Sequence, residues 1–108
     1  MRRGELWTAA GGKHYAGKPR PVLVVQDDRF DATDSITICP LTSDPTESPL
    51  LRIPLDSRSD NGLTEPGSIM IDKLTTMPRS KLGEHIGDVS DTDMLALSRA
   101  LVVFLGLA

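Results

Sequence analysis

The sequence predicts a mainly β domain of five or six strands followed by one C-terminal helix. Its 108 residues match the length of one domain with one core. Short β-branched runs alternate with turn-rich segments as far as Val89, which is typical of an antiparallel sheet. From Ser90 onwards the apolar residues recur at helical spacing instead. We therefore expect residues 1–108 to form a single domain.

Three strands are predicted before residue 42. Glu5–Ala9 alternates polar and apolar residues, as a strand with one buried face does. Residues 10–18 contain three glycines and form a loop that leads into the second strand, Pro19–Gln26. The centre of that strand is a continuous and largely β-branched apolar run, which is typical of a strand covered on both faces. The third strand, Ile36–Leu41, contains a proline that indicates an edge or a bulge.

The second half of the chain adds the remaining strands. Leu50–Leu55 is predicted to be an edge strand, because Pro54 cannot donate a hydrogen bond to a neighbour. Gly67–Leu74 is the fifth strand. Residues 75–81 are expected to be a connection that a proline interrupts, and Leu82–Val89 adds a short last strand.

The helix is predicted to begin after Ser90. Ser90 at the N-cap and Asp93 three residues later follow the pattern of a capping box. Gly106 is a suitable end for the helix. The apolar residues expected to pack on the sheet are Met94, Leu95, Leu97, Leu101, Val102, Phe104 and Leu105.

Charge excludes one class of partner and allows another. The formal net charge of −3 argues against a protein that clamps long stretches of nucleic acid. The positive charge is nevertheless concentrated at the start of the chain, where Glu5 is the one acid among the first 20 residues. The basic residues there are Arg2, Arg3, Lys13, Lys18 and Arg20. This distribution allows a short single-stranded anion to be bound locally.

Cysteine usage and hydropathy indicate a cytoplasmic protein. No apolar run approaches the roughly 20 residues that span a bilayer, and no signal-peptide core follows the basic N-terminus. Cys39 is the single cysteine, so an internal disulfide is excluded. It also lacks Cys or His neighbours at zinc-binding spacing, so we expect no structural metal.

Arg20 is the most distinctive residue for function. Pro19 and Pro21 restrict the backbone on both sides of it, so its guanidinium is mounted on a rigid strand start. Such a group is well suited to bind an anion. From these residues alone, a surface arginine without a function remains an equal alternative.

A resemblance follows from the order of short motifs. They are Arg3-Gly4-Glu5-Leu6-Trp7, Pro19-Arg20-Pro21-Val22, Pro40-Leu41-Thr42-Ser43, Asn61-Gly62-Leu63, Asp72-Lys73-Leu74-Thr75-Thr76 and Lys81-Leu82-Gly83. Each motif alone is weak, but together they cover essentially the whole chain in one order. The chain closely resembles the MazF/PemK/Kid family of toxins from toxin–antitoxin pairs.

The resemblance implies a fold, an activity and partners. The fold would be a small, SH3-like, strongly curved β-barrel of five to seven strands with a C-terminal helix, acting as a homodimer. The activity would be sequence-specific cleavage of single-stranded RNA, usually messenger RNA, without a metal or any other cofactor. A cognate antitoxin would inhibit it by occupying the same groove.

The resemblance also implies the site. The catalytic residues would be Arg20, Thr42, His14 and Asp72, with His14 slightly preferred over Asp72 as the acid or base. The expected RNA-binding residues are Ser43, Lys13, Lys18, Tyr15, Lys73 and Arg79. Three positions depart from the family pattern: Tyr15 replaces a glutamate, Lys73 a glutamine, and Met70 the arginine of the Kid branch.

Two other functions fit the same fold. One is a non-enzymatic toxin like CcdB, which poisons DNA gyrase by binding it. The Pro-bracketed Arg20 and the Thr42-Ser43 pair favour a ribonuclease, because a gyrase poison needs no phosphate-binding arginine there. The other is a catalytically impaired binding module, which the departures at Tyr15 and Lys73 allow.

Overall fold

The computed structural model describes residues 1–10 and 19–107, which form seven strands and one α-helix. The elements are β1 (Glu5–Ala9), β2 (Arg20–Val24), β3 (Ser35–Thr42), β4 (Arg52–Leu55), β5 (Gly67–Met70), β6 (Thr75–Pro78), β7 (Leu82–Asp88) and α1 (Asp91–Phe104). The prediction of a mainly β fold with a C-terminal helix is confirmed.

All strand pairs are antiparallel, and the order along the sheet is β4-β5-β3-β2-β1-β7. The long strand β3 also pairs with β6 through Ser35–Ile38, whereas its last two residues pair with β5. Among the described strands the path ends at β4 and β7 and does not close. The mainly β architecture is therefore established, and the closed barrel remains a prediction.

Two predicted boundaries are wrong after residue 70. The fifth strand ends at Met70, and Ile71–Lys73 forms a single 3-10 turn. The segment expected to be a connection contains strand β6, Thr75–Pro78. A proline is compatible with this strand because Pro78 is its last residue and β6 pairs with β3 alone among the described strands. The prediction that Pro54 lies on an edge strand is confirmed, since β4 ends the sheet.

The core lies on both faces of β2, as its continuous apolar run predicts. Leu23 belongs to the cluster that α1 covers, whereas Val22 and Val24 belong to a cluster on the other face. The first cluster includes Leu6, Ile69, Ile71 and Leu97, and the second includes Ile36, Ile38 and Leu82. Burial on both faces fixes the strand and therefore the position of its first residue, Arg20.

The helix begins as predicted, but its apolar stripe is only partly buried. The Ser90 Oγ accepts a hydrogen bond from the Asp93 backbone N–H at 3.2 Å. Leu97 is fully buried against the sheet. The last turn instead exposes its apolar side chains, Val102, Val103, Phe104 and Leu105, and Leu107 beyond it. No helix in the described residues is both long and apolar enough to span a membrane.

Candidate active site

Arg20 is the first residue of β2 and Thr42 is the last residue of β3. The two strands are antiparallel, with Val22 opposite Pro40. The start of β2 and the end of β3 therefore lie at the same end of this strand pair. Both residues, with Ser43, line a cleft of about 110 Å³. The structure therefore brings together three residues that the sequence predicted for the site.

The backbone of Arg20 is fixed although its side chain is exposed. Arg20 pairs with Ala9 of β1, and the adjacent Pro21 is half-buried. The side chain lies on the wall of the cleft together with Thr42. A planar guanidinium in this place can donate two parallel hydrogen bonds to the oxygens of a phosphate.

Thr42 complements this cation with a neutral donor. Its Oγ1 accepts a hydrogen bond from the Asp44 backbone N–H at 3.2 Å. A hydroxyl that accepts one such bond still has its own O–H to donate. Thr42 is held from its other side by pairing with Ser68 of β5. The pair of Arg20 and Thr42 is therefore suited to bind the non-bridging oxygens of a phosphodiester.

A larger cleft of about 540 Å³ continues from the first. The two clefts share the lining residues Ser43, Pro66 and Gly67, so they adjoin, and together they are called the groove. Prolines, with Ile53 and Leu55, are among the residues that line the larger cleft. Its charged lining residues are Asp44, Glu47, Arg52 and Asp56. Apolar surface with polar groups at its rim is typical of a pocket that receives a flat, partly polar group such as a nucleobase.

Asp44 is held as a hydrogen-bond acceptor in this cleft. Its Oδ1 accepts from the Thr46 hydroxyl at 2.7 Å and from the Thr46 backbone N–H at 2.9 Å. These two bonds lower the pKa of the carboxyl below its ordinary value. Asp44 is therefore a carboxylate at neutral pH and can accept hydrogen bonds from the amino groups of a base.

Asp72 lies apart from Arg20 and pairs with a different cation. It belongs to the 3-10 turn after β5 and lines neither of the two clefts. Its Oδ1 accepts a hydrogen bond from the Nη1 of Arg52, which also donates to the Leu51 carbonyl at 2.9 Å. Hydrogen bonding from Arg52 outweighs partial burial and lowers the pKa of Asp72. Asp72 thus holds the guanidinium of Arg52, which does line the larger cleft.

Arg52 was not predicted from the sequence as a site residue. Its Cα lies opposite Met70 in the pairing of β4 with β5. The resemblance to the Kid branch implies an arginine at the position of Met70, and Arg52 is a cation on the neighbouring strand beside that position. Only the register of β4 against β5 could have indicated that Arg52 lies beside Met70, because these two residues are far apart in the sequence.

Arg79 is bound by contacts that stabilise the fold. Its side chain lies 3.0 Å from an Asp31 carboxylate oxygen and also donates to the Thr33 carbonyl. Its backbone N–H donates to the Asp34 carbonyl at 2.9 Å. These contacts fasten the turn before β3 to the end of β6.

Lys73 is exposed beside Asp72. RNA binding by Lys73 and by Arg79 remains a prediction.

Four of the predicted residues cannot be placed. His14, Lys13, Tyr15 and Lys18 lie outside the described residues. The predicted acid or base and three predicted RNA contacts therefore stay predictions.

A comparison with protein families identifies the family of this chain. Residues 2–105 match the model of the PemK-like, MazF-like toxins of type II toxin–antitoxin systems. The chain belongs to this family. It is also 54% identical over 108 residues to a protein of Mycolicibacterium smegmatis named "Probable endoribonuclease MazF", with coverage of 100% of this chain and 99% of that protein.

Solved structures confirm the fold. The Mycobacterium tuberculosis toxin MazF-mt6 is 25% identical, with a TM-score of 0.80 and coverage of 96% of this chain and 98% of that one. A mycobacterial endoribonuclease in complex with its cognate antitoxin is 23% identical, with a TM-score of 0.78 and coverage of 100% and 97%. At this lower identity, the second structure supports the fold alone.

Proposed function

We propose that the protein is the toxin of a type II toxin–antitoxin system and acts as an endoribonuclease on single-stranded RNA. The observation that carries this proposal is that Arg20 and Thr42, at the same end of the antiparallel pair of β2 and β3, line one cleft. Membership of the toxin family and the 54% identity to a probable endoribonuclease support it. Messenger RNA is the proposed target, which places the activity in the cytoplasm and leads to inhibition of translation and growth.

The reaction needs three tasks to be performed on one phosphodiester. The 2′-hydroxyl must lose its proton and attack the phosphorus, the negative charge on the phosphorane must be stabilised, and the leaving 5′-oxygen must be protonated. Arg20 and Thr42 stabilise the charge through hydrogen bonds to the non-bridging oxygens. The products are a 2′,3′-cyclic phosphate and a 5′-hydroxyl, and no metal is required.

His14 is the proposed acid or base, because a free imidazole, with an ordinary pKa of ~6.5, can exchange protons at neutral pH. Asp72 is less suited to this task, since its pKa is lowered and its carboxylate is bound to Arg52. We propose instead that Asp72 positions Arg52, which lines the larger cleft, whereas Arg20 lines the smaller one. Ser43 lines both clefts and is proposed to contact RNA. The other residues proposed to contact RNA are Lys13, Lys18, Tyr15, Lys73 and Arg79.

The cognate antitoxin and a second copy of the chain are the proposed protein partners. An antitoxin that occupied the shared groove around Ser43 would exclude RNA. A homodimer is supported by the exposed apolar end of α1, where Val103, Phe104 and Leu107 need a covering surface.

The SH3-like barrel is supported by β3, which pairs with β2 along one edge and with β6 and β5 in succession along the other.

Incubation of the purified protein with end-labelled single-stranded RNA in EDTA tests the proposal. We expect discrete fragments that carry a 2′,3′-cyclic phosphate, because Arg20, Thr42 and His14 perform the reaction without a metal. Intact RNA under these conditions would contradict the assignment. Intact RNA together with gyrase-dependent DNA breaks would favour the CcdB-like alternative instead.

A further inference from the structure

Four polar groups from the two ends of the chain converge on the surface formed by β1 and β7. The side-chain donor atoms of Glu5, His85 and Asp88 lie within 4.8 Å of one another. The His85 Nε2 lies 3.1 Å from the Asp88 Oδ1, 3.8 Å from the Glu5 Oε2 and 3.0 Å from the Gly87 carbonyl oxygen. One imidazole nitrogen is therefore surrounded by three oxygens.

A β-bulge creates this arrangement. Glu5 lies opposite Asp88 and Leu6 opposite Gly87, but Trp7 lies opposite His85, so the register slips by one residue between Leu6 and Trp7. Without the slip, the alternation of a strand would direct His85 to the opposite face of the sheet. The bulge therefore turns the imidazole towards the face that carries Glu5 and Asp88, as bulges do where a side chain must be redirected.

The groups are held in place by their neighbours. The ring of Trp7 stacks on His85, with centroids 5.5 Å apart and an interplanar angle of 22°. The Glu5 Oε1 accepts bonds from the Trp7 Nε1 at 3.0 Å and from the Arg2 backbone N–H at 2.7 Å. The second oxygen of Glu5 is the one that faces His85. The Asp88 side chain is 65% exposed, so the cluster is open to solvent on that side.

The spacing fits a divalent transition metal. For metal–ligand distances of about 2.1 Å, neighbouring donors lie about 3.0 Å apart in octahedral and about 3.4 Å apart in tetrahedral geometry. The Gly87 carbonyl oxygen and the Asp88 Oδ1, at 3.0 and 3.1 Å from the imidazole nitrogen, lie within this range, and the Glu5 Oε2 at 3.8 Å would have to move closer to join them. One imidazole with two carboxylates and a carbonyl is a donor set that suits Zn²⁺ and similar ions.

We propose that Glu5, His85 and Asp88, with the Gly87 carbonyl, form a binding site for a divalent transition metal such as Zn²⁺. The metal would bind the unprotonated Nε2 of His85 and would connect β1 to β7, the strand at the end of the sheet. Glu5 is at the opposite end of β1 from Ala9, the partner of Arg20, which is about 13 Å along the strand. The site is thus distinct from the candidate active site, and it does not depend on the proposed nuclease activity.

Titration of the untagged full-length protein with Zn²⁺ tests this site. Trp7 is the single tryptophan of the chain and stacks on the proposed ligand, so its fluorescence reports binding locally. We expect a saturable change in emission at one Zn²⁺ per chain, reversed by EDTA, and an increase in the unfolding temperature. No binding would overturn the proposal.

Matched variants locate the ion. His85→Ala should weaken Zn²⁺ binding at least about tenfold, and Asp88→Asn should weaken it about tenfold. The control is Glu84→Gln, which removes an exposed carboxylate of β7 that is not a proposed ligand and should leave the affinity unchanged. Unchanged affinity in both Asp88→Asn and a folded His85→Ala, or loss of binding in Glu84→Gln, would overturn the proposal. If His85→Ala does not fold, the exposed Asp88→Asn variant decides alone.

Discussion

At the scale of single residues, the two cations of the groove are fixed in different ways. Arg20 is placed by its backbone, which pairs with β1 at the start of a strand buried on both faces. Arg52 is placed by its side chain, which Asp72 and the Leu51 carbonyl hold. The position of the Arg52 guanidinium therefore depends on the ionisation of Asp72.

Acid should weaken the pair of Asp72 and Arg52. The pKa of Asp72 is lower in the folded protein than its ordinary value of 3.8, so the pair stabilises the fold above that value. The stabilisation is lost as the pH falls through the folded-state pKa. We expect Asp72→Asn to unfold at lower urea concentration than wild type at neutral pH, and this difference to shrink between about pH 5 and about pH 3.

Urea unfolding at several pH values measures the effect. Glu84→Gln, which changes an exposed carboxylate on β7, is the control and should follow wild type. A difference between Asp72→Asn and wild type that stays constant over this pH range would contradict the assignment of the pair.

At the scale of elements, the turn before β5 is locked to β7. Asn61 is buried, and its Oδ1 accepts bonds from the backbone N–H groups of Arg58 and Leu63 at 3.1 and 3.0 Å. Gly62 has a φ of 71°, as the Asn-Gly pair predicts. A Cβ at Gly62 would lie 1.9 Å from the Ile86 carbonyl oxygen. This turn therefore packs directly against β7.

Gly62 and Gly106 have the same backbone conformation, so replacing each with alanine distinguishes the loss of stability caused by strain from the loss caused by crowding. Gly62 and Gly106 have φ values of 71° and 72°, but a Cβ at Gly106 would have no atom within 4 Å. Gly106→Ala should lower the free energy of unfolding by about 1 kcal/mol through strain alone. Gly62→Ala should lower it by more than about 3 kcal/mol, because the turn must also move away from β7. Equal losses in chemical denaturation would contradict the close packing of the turn.

Much of this architecture could be predicted from the sequence, because local patterns determine it. Alternation, proline positions and the capping serine predicted most strands and the start of α1. Strand β6 could not be predicted, since Thr75–Pro78 is a strand only through its pairing with β3. For the site, the order of motifs predicted Arg20 and Thr42. Arg52 and His85 depend on strand register and on a bulge, which have no local signal.

At the scale of the whole molecule, the exposed end of α1 is the surface that the proposed dimer would cover. Val103 is 60% exposed and Leu107 is 73% exposed, next to the exposed Phe104. We expect sedimentation equilibrium to give the mass of two 11.7-kDa chains. Val103→Asp should shift the equilibrium towards the monomer, because a buried carboxylate at the interface would be unpaired. Arg99→Asp on the same helix is the charge control, and equal dissociation by both variants would contradict this surface.

The central claim is that Arg20 stabilises the phosphorane in RNA cleavage. The most direct test is the rate of cleavage of a labelled single-stranded RNA in EDTA by wild type, Arg20→Ala and Arg29→Ala. Arg29 is the matched control, an exposed arginine whose ion pair with Asp27 lies outside both clefts. We expect Arg20→Ala to lose at least about 10²-fold in rate while its unfolding is unchanged, and Arg29→Ala to cleave like wild type. Undiminished cleavage by folded Arg20→Ala would contradict the claim.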